Sequence, residues 1–331
     1  MPSLPRSPFG RRSARSRVAE RTPAPDELRV EVVEAPGLRW VNIERPRAVD
    51  QAWLEERFEF HPLDYEDVFS RNQRPKVDEY DDYLFIVLHF PRYDKKVARL
   101  NAAELDLFVG PDYLITLTEH PLPPLQAMFE RMESREELRE STFSKGSGYL
   151  LYKIVDANVD AAFPMLRKMG NKLDRLEDKI LEGRSSEIVR DISNAKQEII
   201  NFRKIIRPQR AVLRDLERTK QRYLQEELDI YFDDISDAAE RIWDTLENYK
   251  EVVEALEDSN ESVLSHRVNE SLRVLTAFSV IMLPLTLISG IWGMNTHVPG
   301  EQSFAGFWGV IGFMVIVLVA MVTFFRRRGW L

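Results

Sequence analysis

The chain is predicted to be an α+β protein, with a small α/β domain first, a long helical stalk after it, and two wholly apolar helices at the C-terminal end. Three observations predict this. Short β-branched and aromatic runs broken by Pro, Gly and Asp fill the region from Leu28 to about Glu119. Beyond Pro124 the apolar period becomes helical and stays so. Finally, Leu275–Trp292 and Phe304–Phe325 contain no Asp, Glu, Lys or Arg.

Composition narrows the class. Of 331 residues, 30% are charged and the formal net charge is −8, as in an ordinary water-soluble protein apart from the two apolar runs. There is no cysteine, which excludes a disulfide framework, Cys-ligated zinc and thiol catalysis. No Gly-rich phosphate loop, HExxH or GxSxG is present, so an enzyme is not expected, nor is a nucleic-acid partner.

Residues 1–27 begin MPSLPRSPFGRRSARSRVAERTPAP, rich in Arg, Ser and Pro without an apolar h-region, and read as a disordered basic tail. A transit peptide is the second reading, and no apolar face at helical spacing supports it. Residues 28–124 form the α/β domain: RVEVVEA, LRWVNIE, YLFIVLHF, ELDLFV and YLITLTE are its strands, Ala48–Phe58 and Leu63–Phe69 its helices. His61, ahead of Pro62, reads as a helix-start or packing residue, because no second His stands at ligand spacing. Residues 125–234 are helical, with long runs over Leu150–Gly183 and Ser186–Leu216.

From residue 235 the apolar positions Ile242, Leu246, Tyr249, Val253, Leu256 and Val263 lead into the first apolar run without a Pro or Gly break. One helix over 235–292 would be about 85 Å long. Leu275–Trp292 has 18 residues and Phe304–Phe325 has 22, against the ~20 that cross a bilayer core, so the pair reads as a membrane hairpin joined by residues 293–303. Arg326, Arg327 and Arg328 follow the second span in the tail 326–331, and Arg267 and Arg273 flank the first. The positive-inside rule therefore puts both ends in the cytoplasm and the protein in the plasma (inner) membrane. The loop then faces outward, with Glu301 its one acid.

Two spans cannot enclose a polar path alone. Such a chain either anchors a soluble domain, as a scaffold would, or assembles so that one helix from each copy lines a pore. Asn269, Leu272, Thr276, Ser279, Leu283, Thr286, Gly290 and Gly293 recur in steps of three and four along the first span, opposite Phe278, Ile281, Leu285 and Ile288. Small and hydroxylated residues on one stripe suit tight helix packing in lipid as well as pore lining. Asn295 favours the pore, since a ring of amide oxygens can accept hydrogen bonds from the water shell of a cation, and Mg²⁺ gives up its waters reluctantly. Pro284 is expected to kink the span or be accommodated by neighbours.

The Gly293-Met294-Asn295 triplet before a Pro-Gly-Glu segment, on a C-terminal hairpin ending in Arg326-Arg327-Arg328 with Trp330 and Leu331, resembles the CorA family of magnesium transporters. FHPLDYEDVFSRNQRPKVDEYDDYLFIVLHF (Phe60–Phe90) and DANVDAAFPMLRKMGNKLDRLEDKILE (Asp156–Glu182) are similar to family segments, and the likeness runs from about Leu28 onward. It implies a funnel-shaped homopentamer in the bilayer that carries Mg²⁺, with Co²⁺ or Ni²⁺ admitted, and a filter at Gly293, Met294 and Asn295. It also implies that Asn269, Leu272, Leu275, Ser279, Leu283, Thr286 and Gly290 line the descending pore, with the three leucines as constrictions. Asp67 and Asp234 match acids that bind regulatory Mg²⁺ between neighbouring subunits, and Asp258 an acid near the inner pore mouth. Trp292 stands where many members have Tyr, and Thr296-His297-Val298 departs from the family's loop. A Zn²⁺ or other divalent-ion transporter of the same superfamily is the alternative, and Met294 speaks against it because the zinc branch tends to Ile there.

Overall fold

A computed structural model of the chain describes residues 28–70, 73–94, 99–182, 185–218, 228–294 and 303–330. The basic tail at 1–27, and Asn295, Thr296, His297, Glu301 and Leu331, lie outside the described residues.

The chain begins with β1 (Val30–Ala35) and β2 (Leu38–Glu44), an antiparallel pair turned at Pro36-Gly37. Pro presets the first turn angle and Gly37 takes φ +91°, where a side chain would be strained. Then come α1 (Ala48–Arg57), α2 (Pro62–Phe69), β3 (Lys76–Glu79), β4 (Leu84–Asp94), β5 (Arg99–Val109) and β6 (Tyr113–Thr118). His61 caps α2 as a helix-start residue: its Nδ1 accepts from the Leu63 amide at 3.2 Å, with Pro62 following. The strands form one mixed sheet in the order β1-β2-β6-β5-β4-β3. β2 and β6 run parallel, because everything between them crosses over before the chain returns.

Both faces of the sheet are covered. On one, Val41, Ile43, Phe85, Val87, Phe108, Ile115 and Leu117 pack with Leu54 of α1 and Tyr65 and Val68 of α2. Phe60 sits at the centre, stacked on Phe108 at 4.0 Å and on Phe58 at 5.3 Å. The other face carries Trp40, which meets Phe129 of α3 (Pro123–Ser134) edge-on at 4.9 Å and donates Nε1–H to Thr116 Oγ1 at 3.1 Å. The short α4 (Glu136–Phe143) and α5 (Ser147–Asp160) follow.

The long helical run expected from Leu150 breaks at Ala161, before α6 (Ala162–Glu182). Pro164 explains the break: it lacks an N–H and its ring would strike the carbonyl four residues back, at Asp160. In α6 the buried residues Leu166, Met169, Leu173, Leu176 and Ile180 alternate steps of three and four. Ile188, Ile192, Ala195, Ile199 and Phe202 do the same in α7 (Ser185–Arg218), as do Ile235, Ala239, Ile242 and Leu246 in α8 (Asp229–Trp292). That period is the seam of packed helices. Tyr249 of α8 reaches Gly170 of α6, where an added Cβ would lie 2.5 Å from the phenol oxygen. Ion pairs edge the α7–α8 seam: Lys196–Glu257 at 2.6 Å, Arg214–Glu240 at 2.7 Å, Arg203–Glu247 and Arg210–Glu240, with both of the last two guanidiniums over the Trp243 ring.

α8 has 64 residues, about 96 Å at 1.5 Å per residue, so stalk and first apolar span are one helix. α9 (Phe304–Arg327) starts at Ser303, whose Oγ accepts from the Gly306 amide at 3.0 Å. Both helices are long and apolar enough to cross a membrane.

Candidate functional site

The C-terminal half of α8 sorts its side chains by face. Ala277 and Ile281 are buried, and with Leu285 they pack against Met321, Val322, Phe325 and Trp330. These positions repeat every four residues, so one narrow face of α8 meets α9. Phe278, placed by sequence on the side away from the stripe, is exposed. At the far end Gly329 adopts φ +67°, letting the Trp330 amide donate to the Phe325 carbonyl at 3.0 Å while the rings meet at 5.6 Å.

The stripe of small and hydroxylated residues lies outside that contact, and at its lower end Asn269, Leu272 and Thr276 share a hollow with Trp330. Asn269, Leu272, Leu275, Thr276, Ser279, Leu283, Thr286 and Gly290 are all exposed, Leu275 at 63% and Leu283 at 68%. A groove of about 630 Å³ runs along Ser279, Leu283, Thr286, Gly290 and Met294. Each hydroxyl donates its proton backward along the helix: Thr276 Oγ1 to Leu272 O at 2.7 Å, Ser279 Oγ to Leu275 O at 3.0 Å, Thr286 Oγ1 to Met282 O at 2.8 Å. A hydroxyl whose proton is committed presents lone pairs outward, so the stripe offers acceptor oxygens between leucine side chains. Pro284 sits within an uninterrupted α8. The helix closes at Gly293, whose amide reaches the Ser289 carbonyl at 2.9 Å and whose missing Cβ would stand 3.0 Å from that same oxygen.

The acidic residues separate into two kinds. Asp234 and Asp258 are exposed on α8 and make no hydrogen bond or ion pair with the described residues. Asp67, half-buried on α2, is engaged: its Oδ2 lies 2.6 Å from Lys76 Nζ, which also contacts Asp78 on β3. Asp64, one turn earlier and buried, accepts from Tyr80 at 2.9 Å and Tyr83 at 2.7 Å. Burial raises the Asp64 carboxyl above its ordinary range, although both phenols and Lys76 oppose the shift. The Asp64, Asp67 and Asp78 carboxylates come within 4.8 Å of one another. Burial pulls Lys76 down, but its bonds to Asp67 and Asp78 outweigh that and leave it raised.

The family resemblance singled out Asp67 and left out Lys76 and Asp78, which the structure sets beside it. The available signal was RPKVDEY, since residues two apart on a strand share a face and Lys76 and Asp78 therefore point the same way. Asp106 on β5 was missed as well. It is 5% exposed, its Oδ1 has no hydrogen-bond partner among the described residues, and burial holds it well above the usual carboxylate range.

The chain thus combines a mixed sheet domain, a helix of 64 residues and an apolar C-terminal pair long enough to cross a membrane. Residues 36–327 match the model of the CorA-like Mg²⁺ transporter proteins, and the chain belongs to that family. The cobalt/magnesium transport protein CorA of Thermotoga maritima is 34% identical over 297 residues, covering 88% of this chain and 83% of the relative. YfjQ of Bacillus subtilis, named a putative metal ion transporter, is 31% identical over 91% of this chain and 93% of its own. The solved structure of the CorA magnesium transporter from Methanocaldococcus jannaschii superposes with a TM-score of 0.79 at 23% identity, covering 89% of this chain and 92% of that one.

Proposed function

We propose that this chain assembles as a homopentameric channel carrying Mg²⁺ into the cell, with Co²⁺ and Ni²⁺ admitted, and with both termini on the cytoplasmic side of the plasma membrane. The observation that carries this reading is the exposed stripe of α8, where Asn269, Thr276, Ser279 and Thr286 alternate with Leu272, Leu275 and Leu283 outside the contact that Ala277, Ile281 and Leu285 make with α9. In a scaffold this face has no use. In a ring of copies it becomes a path of oxygen acceptors interrupted by apolar constrictions, suited to an ion that keeps its waters.

Gly293, Met294 and Asn295 form the outer filter in this reading, with Glu301 in the external loop. The five amide side chains of Asn295 select the hydrated ion by accepting from its water shell. Met294 favours Mg²⁺ over Zn²⁺. Regulation is assigned to Mg²⁺ held between Asp67 of one copy and Asp234 of the next, with Asp258 an acid near the inner pore mouth. Asp234, exposed and without a partner among the described residues, supports this, because a carboxylate at a subunit boundary repels its counterpart until a cation bridges them.

Purified protein in liposomes tests the reading. Uptake of Mg²⁺ and Co²⁺ should exceed that of Zn²⁺, and N295A should abolish uptake while native mass stays that of a pentamer. Uptake by N295A at the wild-type rate removes the filter, and a stable monomer removes the pore.

A further inference from the structure

The cluster beneath α2 holds more acid than base. Asp64, Asp67 and Asp78 converge within 4.8 Å. Asp106 stands behind them, nine-tenths buried and with an unpartnered Oδ1, and its electrostatic neighbours are Glu104, Asp67 and Lys76. A single ammonium serves all four aspartates. Lys76 contacts Asp67 and Asp78 directly and acts through space on Asp64 and Asp106. Its ammonium also lies over the Phe85 ring, 5.1 Å from the ring centre.

A divalent ion that approaches Asp67 therefore meets a carboxylate whose Oδ2 is already in use. Mg²⁺ takes carboxylate oxygens as a hard cation, and an ammonium at 2.6 Å occupies the same lone-pair region. Sharing the carboxylate is costly, because charges of +2 and +1 about 6 Å apart repel enough in water to weaken binding about tenfold. Lys76 has somewhere to go, since release from Asp67 leaves it on Asp78. We propose that Lys76 is a tethered counter-ion that competes with the regulatory divalent cation for Asp67, and so sets the concentration at which that cation binds. This rests on the reading of Asp67 as a regulatory metal ligand.

The test is the Mg²⁺ concentration that half-protects the cytoplasmic part of the full-length protein from protease. K76M keeps an unbranched side chain of similar length and removes the charge. Its midpoint should fall about tenfold, with K76R at the wild-type value. An unchanged or higher midpoint in K76M overturns the proposal, the latter because Lys76 then organises the site and does not compete for it. Should K76M fold poorly, K76M/D78N restores the charge balance, and its midpoint should lie below that of D78N by the same factor. Equal midpoints in those two also overturn the proposal. Failure of the underlying reading looks different: either Mg²⁺ does not protect the wild type, or D67N keeps the wild-type midpoint, and both results appear without any change at residue 76.

Discussion

Phe108 on β5 and Phe278 on α8 are the same residue with opposite fates. The first is fully buried and touches Phe60, Phe85, Tyr65 and Tyr83, whereas the second is 60% exposed. The contrast extends to whole regions. In the sheet domain nearly every apolar side chain between Val41 and Leu117 finds protein, while on α8 beyond Leu272 and along α9 burial is confined to Ala277, Ile281 and Phe325. Burial in the sheet domain is a matter of folding within one chain. The apolar surface of α8 and α9 is far larger than monomeric soluble proteins expose, as suits helices whose surroundings are lipid.

That difference can be broken by substitution. Phe108→Ala should be the most damaging change, destabilising the sheet domain by about 3–5 kcal/mol, because a large side chain at the centre of an aromatic cluster leaves a void that its neighbours fill only partly. Leu283→Ala on the exposed stripe should leave the unfolding midpoint within experimental error and alter ion flux instead. Thermal unfolding followed by circular dichroism, paired with liposome uptake, separates the two. A stability loss in L283A as large as in F108A would show that α8 is a packed core helix.

The stalk is intermediate, buried along a seam and wet outside. Gly170 marks its tightest point, with the Tyr249 ring filling the space a Cβ would need. Gly170→Ala should cost about 1–3 kcal/mol by overpacking. Tyr249→Phe removes only the closest atom, so it should be nearly neutral alone and recover part of the loss in the double variant. A double-mutant cycle of thermal midpoints measures this, and strict additivity would mean that α6 and α8 are not in contact there.

How far the sequence could be read depended on which interaction decides each element. Runs such as LRWVNIE and YLITLTE are strands by local composition, and the charge-free spans, the heptad positions from Ile242 to Leu256 and the stripe from Asn269 to Gly290 follow from spacing alone. β3 escaped because three of its four residues, Lys76, Asp78 and Glu79, are ionisable, and it exists by pairing with β4. Asp106 escaped for a related reason. Alternation along NAAELDLFV sets Glu104, Asp106 and Phe108 on the face opposite Leu105 and Leu107, and nothing local says that α2 will cover it. Tertiary contacts decided both.

Asp106 gives the smallest effect and the finest test, since it is a polar group in the region where burial otherwise favours folding. Burial raises its carboxyl, Glu104 and Asp67 push the same way, and Lys76 only partly opposes them. A folded-state value above the unfolded one means that the proton is held more tightly in the folded protein. The contribution to stability is then complete below the ordinary carboxylate range and is lost as pH climbs through the raised value. Asp106→Asn cannot ionise, so it should be close to wild type near pH 4 and more stable than wild type at pH 8. Chemical denaturation at both pH values, compared as the difference between variant and wild type, checks this. A variant that gains nothing between pH 4 and pH 8 would mean that the Asp106 carboxylate stays ionised in the folded protein, beside a cation or water that meets its free oxygen.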